Sequence, residues 1–170
     1  MAMAINQAVI DRLHISEEML VECLVSNMNN IFNKTAGIEN VSKKPIVIDP
    51  INVFSDCVTA LVGLAGTYSG LFSLHLPDIL AKEFASGMLG YRVNEINGDV
   101  YDAIGELADL ITGSLKATLV SHGNDIHLST PSIFTGREYQ FSNNAPDESL
   151  GILCDVGDQW FMVSLTLKIS

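Results

Sequence analysis

Positive charge is what this sequence has least of. Nine Lys and Arg stand against 20 Asp and Glu in 170 residues, giving a formal net charge of −11 and a pI near 4.5. Phosphate-backbone binding draws its affinity from clustered Lys and Arg, so the lack of a basic stripe excludes nucleic acid as a partner and argues against an anionic membrane surface. Cysteine is scarce too. Cys23, Cys57 and Cys154 are odd in number, far apart and without a Cys-x-x-Cys pair, which excludes a disulfide framework or a zinc site and fits a reduced cytosol. No basic n-region opens the chain, whose first positive residue is Arg12, so export is not expected and the localisation is read as cytoplasmic. Low-complexity runs, linkers rich in Pro, Gly and Ser, and strong repeats are also missing, which leaves residues 1–170 as a single domain.

What is present is apolar: 48% of the residues are hydrophobic, enough at this length for a core without disulfides or structural metal. The stretch Cys57 to Pro77 carries no Asp, Glu, Lys or Arg and is long enough on paper to cross a bilayer. Gly66-Thr67-Tyr68-Ser69-Gly70 interrupts it, and Phe72, Leu74 and Leu76 then alternate at the period of a strand, so it reads as a hairpin of Val53 to Ala65 with Gly70 to Leu76. Its first arm is apolar at nearly every position, as in a strand covered on both faces.

Helical signals surround this hairpin. Ser16 before Glu17 and Glu18 predicts a helix start, with a helix to about Lys34. Gly37 to Lys44 reads as a loop, and Pro45 and Pro50 bracket a short extended Ile46-Val47-Ile48. Pro77-Asp78 opens a second helix with Ile79, Leu80, Phe84 and Met88 on one face and Gly90 after its last turn. Asn97-Gly98-Asp99 starts a third, about 99–122, with a core stripe of Val100, Ile104, Leu107, Ala108, Ile111, Leu115 and Leu119. Strands return at Ile126 to Leu128, at Tyr139 to Phe141 after a Thr130-Pro131 break, and in a last hairpin of Gly151 to Val156 with Gln159 to Ile169. Phe161, Val163, Leu165, Leu167 and Ile169 share one face of the final strand, and Trp160 at its start reads as core or as a sheet-edge anchor. The order of helix, strands, two helices, strands predicts an α+β fold, an antiparallel or mixed sheet with helices packed on one face.

At a hundred degrees per residue, Asp102, Glu106, Asp109, Gly113 and Lys116 form a narrow stripe on the third helix, opposite its core face. An acidic solvent-facing stripe is an ordinary way to keep a domain soluble and equally a surface for a partner. Gly113 is a less ordinary member. A glycine within a helix costs about 1 kcal/mol relative to alanine, which close approach of a partner, or packing against another helix, would explain. The other constellations carry less chemistry. His14, His75, His122 and His127 show no i, i+4 pairing or metal-ligand spacing, Gly63, Gly66 and Gly70 lack the Lys-Ser/Thr of a phosphate loop, and there is no nucleophile elbow.

The segment from Asp102 through Glu106 and Asp109 to Gly113 resembles the signature helix of the CheC and CheX chemotaxis phosphatases, a family that includes FliY, whose pattern is Glu, two residues, Asn, then a small-residue tail with glycine. Other motifs agree in order: Val62-Gly63-Leu64-Ala65-Gly66, Met88-Leu89-Gly90, Ser129-Thr130-Pro131-Ser132 with Gly136, and a closing alternating strand, from about Val53 to Ile169. The resemblance implies a CheX-like domain that removes the phosphoryl group from an aspartyl phosphate on a CheY-like response regulator. The regulator would bring the magnesium ion, the phosphatase having no cofactor or metal of its own, and the protein would be a homodimer joining sheets across their edges. In such enzymes an amide positions the attacking water and a glutamate pairs with the regulator's lysine, which is catalysis largely by positioning.

Glu106 matches the glutamate, but Asp109 occupies the amide position. An amide offers both donor and acceptor, whereas an ionised aspartate only accepts. It would also bring like charge toward a phosphoryl group, at about 1 kcal/mol per pair at 4 Å in water and about 4 at an effective dielectric near 20. A carboxylate can take a proton from water, so a general-base role stays open beside it. The expectation is a regulator-binding set of Asp102, Glu106, Gly113 and Lys116 with Glu106 and Asp109 as the catalytic pair. Three readings follow: a phosphatase with lowered or lost rate, a non-catalytic module of the same fold, or a scaffold of the kind found in flagellar switch proteins.

Overall fold

The central hairpin organises everything around it. In the computed structural model, which describes residues 5, 7–39, 41, 46–48, 53–140 and 149–169, β2 (Val53–Gly66) and β3 (Tyr68–Pro77) pair antiparallel with Val58 opposite Leu76 and Leu64 opposite Gly70. The turn is made at Gly66, whose φ of 124° suits glycine. β3 pairs on its other side with β7 (Gln159–Ile169), which pairs with β6 (Ser149–Val156), which pairs with β1 (Ile46–Ile48). Beyond β2 lie β4 (Ile126–Leu128) and β5 (Ser132–Gln140), both paired with β2 along different parts of its length. Every pairing is antiparallel, so of the two sheet types expected the antiparallel one forms.

Alternation along the strands separates the faces. Val58, Ala60, Val62, Phe72, Leu74, Leu76, Ile152, Val163 and Leu165 are buried in one core with the helices α2 (Glu17–Ala36), α3 (Asp78–Leu89) and α4 (Gly98–Ser121). Phe32 of α2, Phe84 of α3 and Phe161 of β7 meet there as a three-ring cluster, with centroids 4.8 to 6.4 Å apart. The expected α+β layering, helices on one face of the sheet, is what forms. Among the described residues no helix is long and apolar enough to cross a membrane.

The opposite face is polar at its centre. His75 is buried between the hydroxyls of Thr59, 2.7 Å from Nδ1, and Ser73, 2.8 Å from Nε2. Thr59 also meets the Tyr139 hydroxyl at 2.7 Å, and Ser73 meets Ser164 of β7. Phe54 lies flat on the imidazole at 4.0 Å, an arrangement reached because Asp56, with φ of 49°, shifts the side-chain alternation of β2. Burial lowers the His75 pKa to about 3, so the ring is neutral. The expectation that β2 is covered on both faces therefore holds at Thr59, and less so at Cys57, Leu61 and Gly63, which are half-buried.

The helix signals are close to the residue. Ser16 accepts from the Met19 amide at 3.1 Å, Asn97 accepts from the Asp99 and Val100 amides, and Gly37 and Gly90 close α2 and α3 in the left-handed region. Five expectations need correction, the first being Ile79, which is exposed rather than sharing the buried face of α3 with Leu80 and Phe84. A further helix, α1 (Gln7–Leu13), precedes Ser16, and β5 begins at Ser132 rather than Tyr139. Trp160 is 43% exposed: its neighbour Phe161 points into the core, so alternation turns the indole outward. Ile169, at the end of the same strand, is exposed rather than buried with Phe161. The expectations for Pro45, Pro50, residues 42–44 and Phe141 fall outside the described residues.

Candidate functional site

α4 is held rigidly and presents one clean face. Val100, Ile104, Leu107, Ala108, Ile111, Leu115 and Leu119 are fully buried, and the buried Thr112 hydroxyl donates to the Ala108 carbonyl at 2.7 Å. α2 and α3 flank the helix while β2, β4 and β5 lie beneath it. What remains is the stripe: Asp102, Glu106, Asp109 and Gly113 are exposed together, and Lys116 at its end is half-buried. All five residues are brought onto one face of one rigid helix, as the spacing predicts.

Among the described residues none of the side chains of Asp102, Glu106, Asp109 or Lys116 makes a hydrogen bond or ion pair. Lys116 therefore does not neutralise the carboxylates, and three anionic groups face outward with unfilled acceptor positions. Gly113 has nothing within 4 Å of where a Cβ would stand, which removes the alternative that it relieves packing against another helix. The helix tolerates the glycine, about 1 kcal/mol worse than alanine, without any internal return. Such a surface can do little alone. It can accept hydrogen bonds, attract a cation and admit a backbone at close range.

Two exposed residues near the stripe lie outside the pattern that the sequence predicts. Leu110, beside Asp109 and off the core stripe, is exposed, and Tyr91, also exposed, donates its hydroxyl to Asp99 at 2.8 Å near the start of α4. The signal was there in Leu110's position, one residue out of phase with the buried set. The Ser129-Thr130-Pro131-Ser132 motif has a supporting role. Ser129 accepts from the Gly63 amide through its hydroxyl at 2.8 Å and donates its own amide to the Gly63 carbonyl at 2.9 Å, fixing Pro131 and Ile133 beside Gly105 of α4.

The histidines are dispersed. His75 sits in the sheet network, His122 caps α4, His127 meets Asp125 at 3.4 Å on the surface, and His14 lies between α1 and α2. No group of three metal-ligating side chains exists among the described residues, and the three cysteines are free thiols.

Comparison with known proteins agrees with this architecture. Residues 58–155, more than half of the chain and including all of α4, match the family model described as chemotaxis phosphatase CheX. A relative from Thermotoga maritima named CheY-P phosphatase CheX is 24% identical over 125 residues, covering 73% of this chain and 80% of its own. The crystal structure of a CheX chemotaxis protein from Desulfovibrio desulfuricans superposes with a TM-score of 0.74 at 26% identity, covering 88% of this chain and 99% of that one. The CheX of a CheX–CheY–BeF3–Mg complex from Borrelia burgdorferi shares the fold at 18% identity and a TM-score of 0.68, covering 88% and 97%. With the signature helix, the Ser129 tie and the hairpin from Val58 onward inside the matched span, the chain belongs to the CheX family of chemotaxis phosphatases.

Proposed function

We propose that the exposed stripe of α4 docks a phosphorylated CheY-like response regulator, and that Asp109 makes this protein a slow phosphatase whose binding outlasts its catalysis. The observation that carries this reading is the joint exposure of Glu106, Asp109 and Gly113 on a helix otherwise locked into the core, with no partner for either carboxylate among the described residues. Glu106 pairs with a lysine of the regulator and sets the register of docking. Gly113 lets the regulator's backbone approach the helix. The regulator holds the magnesium ion and the acyl phosphate, and the phosphatase contributes position.

Asp109 occupies the place from which an amide would hold the attacking water. It can accept a hydrogen bond from that water but has no N–H to offer a phosphoryl oxygen. Its charge opposes the phosphoryl group, by about 1 kcal/mol in water and nearer 4 once docking excludes solvent. Both effects weaken transition-state stabilisation more than they weaken docking. A second reading, a purely binding module, rests on the same missing donor.

The experiment follows phosphate release from a phosphorylated, magnesium-loaded CheY-type regulator with the native protein, Glu106→Ala and Asp109→Asn. Slow acceleration by the native protein, lost in Glu106→Ala and raised in Asp109→Asn, is expected. Binding without acceleration until Asp109→Asn selects the module, and absence of binding by every form removes the docking face altogether. We further propose a cytoplasmic homodimer built by strand addition, since β5, among the described strands, pairs only with β2. Light scattering that returns a monomer at micromolar concentration would count against it.

A further inference from the structure

Beyond the C-terminal end of α4, roughly 25 Å along the helix from Glu106 at 1.5 Å per residue, a pocket of about 440 Å³ opens between three chain junctions. Arg12 and His14 line it from the α1–α2 link, Gly66, Thr67 and Tyr68 from the β2–β3 turn, and Gly123 and Asn124 from the α4–β4 link. Its unusual property is the balance of hydrogen-bonding groups. Arg12 and His14 make no hydrogen bond or ion pair among the described residues. Tyr68 is fully buried, and among the described residues its hydroxyl has no hydrogen-bond partner. Thr67 uses its oxygen to accept from the Asp125 amide at 2.9 Å and keeps its hydroxyl proton to give.

An uncompensated buried hydroxyl costs about 1 to 3 kcal/mol of desolvation, so a native fold retains one where something else completes it. Burial raises the Tyr68 pKa, with the Arg12 charge acting in the other direction, and the group is a neutral donor at physiological pH. Three exposed side chains can therefore donate into one small volume, a guanidinium, an imidazole and a hydroxyl, and the buried Tyr68 hydroxyl is a fourth donor without a partner among the described residues. The nearby carboxylates are turned elsewhere, Asp125 toward His127 at 3.4 Å and Asp11 toward the Gln7 amide at 2.6 Å. In a protein of net charge −11, such a donor-rich pocket selects for acceptor-only chemistry.

We propose that this pocket binds a small molecule bearing a carboxylate or phosphate group, its oxygens held by Arg12, His14 and Thr67 with the Tyr68 hydroxyl at the floor. The guanidinium supplies the charge-assisted contact and the tyrosine selects an acceptor over a water. The site is separate from the docking stripe and does not depend on it.

Amide-resolved titration of the full chain with inorganic phosphate and, separately, with succinate tests this, using sodium chloride at matched ionic strength as reference. Saturable shifts at Thr67, Gly123 and Asn124 are expected with at least one of the two anions, and which one responds decides between phosphate and carboxylate. Arg12→Gln is expected to weaken that binding roughly tenfold, as loss of a charge-assisted bond does. Tyr68→Phe is expected to weaken it a few-fold while leaving the melting temperature of the ligand-free protein unchanged or higher. No saturable shift with either anion, equal affinity in Arg12→Gln, or a lower melting temperature for ligand-free Tyr68→Phe would each overturn the proposal, the last because the hydroxyl would then already have a partner inside the fold.

Discussion

Of the glycines inside helices of this protein, Gly87 and Gly113 make a contrast, and only the first of the two is there for the fold. A Cβ on Gly87 of α3 would run into the Ala36 carbonyl oxygen, so the end of α2 can close against α3 only over a glycine. A Cβ on Gly113 of α4 would meet nothing. The same contrast separates two buried polar groups. His75 has hydroxyls on both ring nitrogens, whereas the Tyr68 hydroxyl has no partner among the described residues. Where a locally unfavourable choice is compensated by neighbours, its explanation is internal stability. Where it is not, the explanation lies in something the chain meets from outside.

The comparison can be broken most forcefully at Gly87. Gly87→Ala forces a methyl group against the Ala36 carbonyl and is expected to cost about 3 kcal/mol, read as a lower denaturation midpoint at unchanged m-value; a neutral result would mean that the seam between α2 and α3 is not tight. His75 comes next. Its folded-state pKa of about 3 lies below the ordinary 6.5, so stability is complete above pH 6.5 and falls as the unfolded chain alone takes up the proton toward pH 3. From pH 7 to pH 5 the loss expected from this group is about 2 kcal/mol. Denaturant melts of the native protein and His75→Gln should show that slope in the first and its absence in the second.

On the uncompensated side the expected effects are smaller and differ in sign. Gly113→Leu should weaken capture of a phosphorylated CheY-type regulator at least tenfold, about 1.4 kcal/mol, without lowering the melting temperature; equal binding would mean that no partner backbone approaches there. Gly113→Ala should raise stability by up to about 1 kcal/mol, detectable as a higher midpoint in the isolated protein. The same substitution at the two glycines would thus move stability in opposite directions.

Periodicity explains how far the sequence could be read. Seven buried positions at helical spacing, with Asn97 as a cap, make α4 and its acidic stripe legible before any coordinates. The β2–β3 hairpin was equally open because apolar alternation and glycine turn chemistry agree. α1 was missed because it is a single seven-residue helix whose buried Val9, Ile10 and Leu13 are too few to establish a period. β5 was read short because, as an edge strand, it leaves Ser132 and residues 134–138 exposed and so lacks alternation. The packing around Gly113 depends on which helices lie beside it, and the pocket joins residues 12, 68 and 124, so neither could be inferred from a local window. The chemical departure at Asp109, in contrast, was visible only by sequence likeness, since the geometry of an exposed aspartate and of an asparagine on that helix is the same.

The pairing of β3 with β7 carries a consequence for biogenesis. Ser73 and Ser164 touch across adjacent strands although 91 residues separate them along the chain. During synthesis the early hairpin can close within its own neighbourhood, but one flank of β3 stays open until the segment from Gln159 to Ile169 has left the ribosome. For that interval Phe72 and Leu74 have helices above them and a strand, β2, on one side only, a half-finished surface open to chaperones and to other nascent chains. A polysome carrying this message should therefore hold its chains in a protease-sensitive state through α4 and β5, and release protection in one step when β7 arrives.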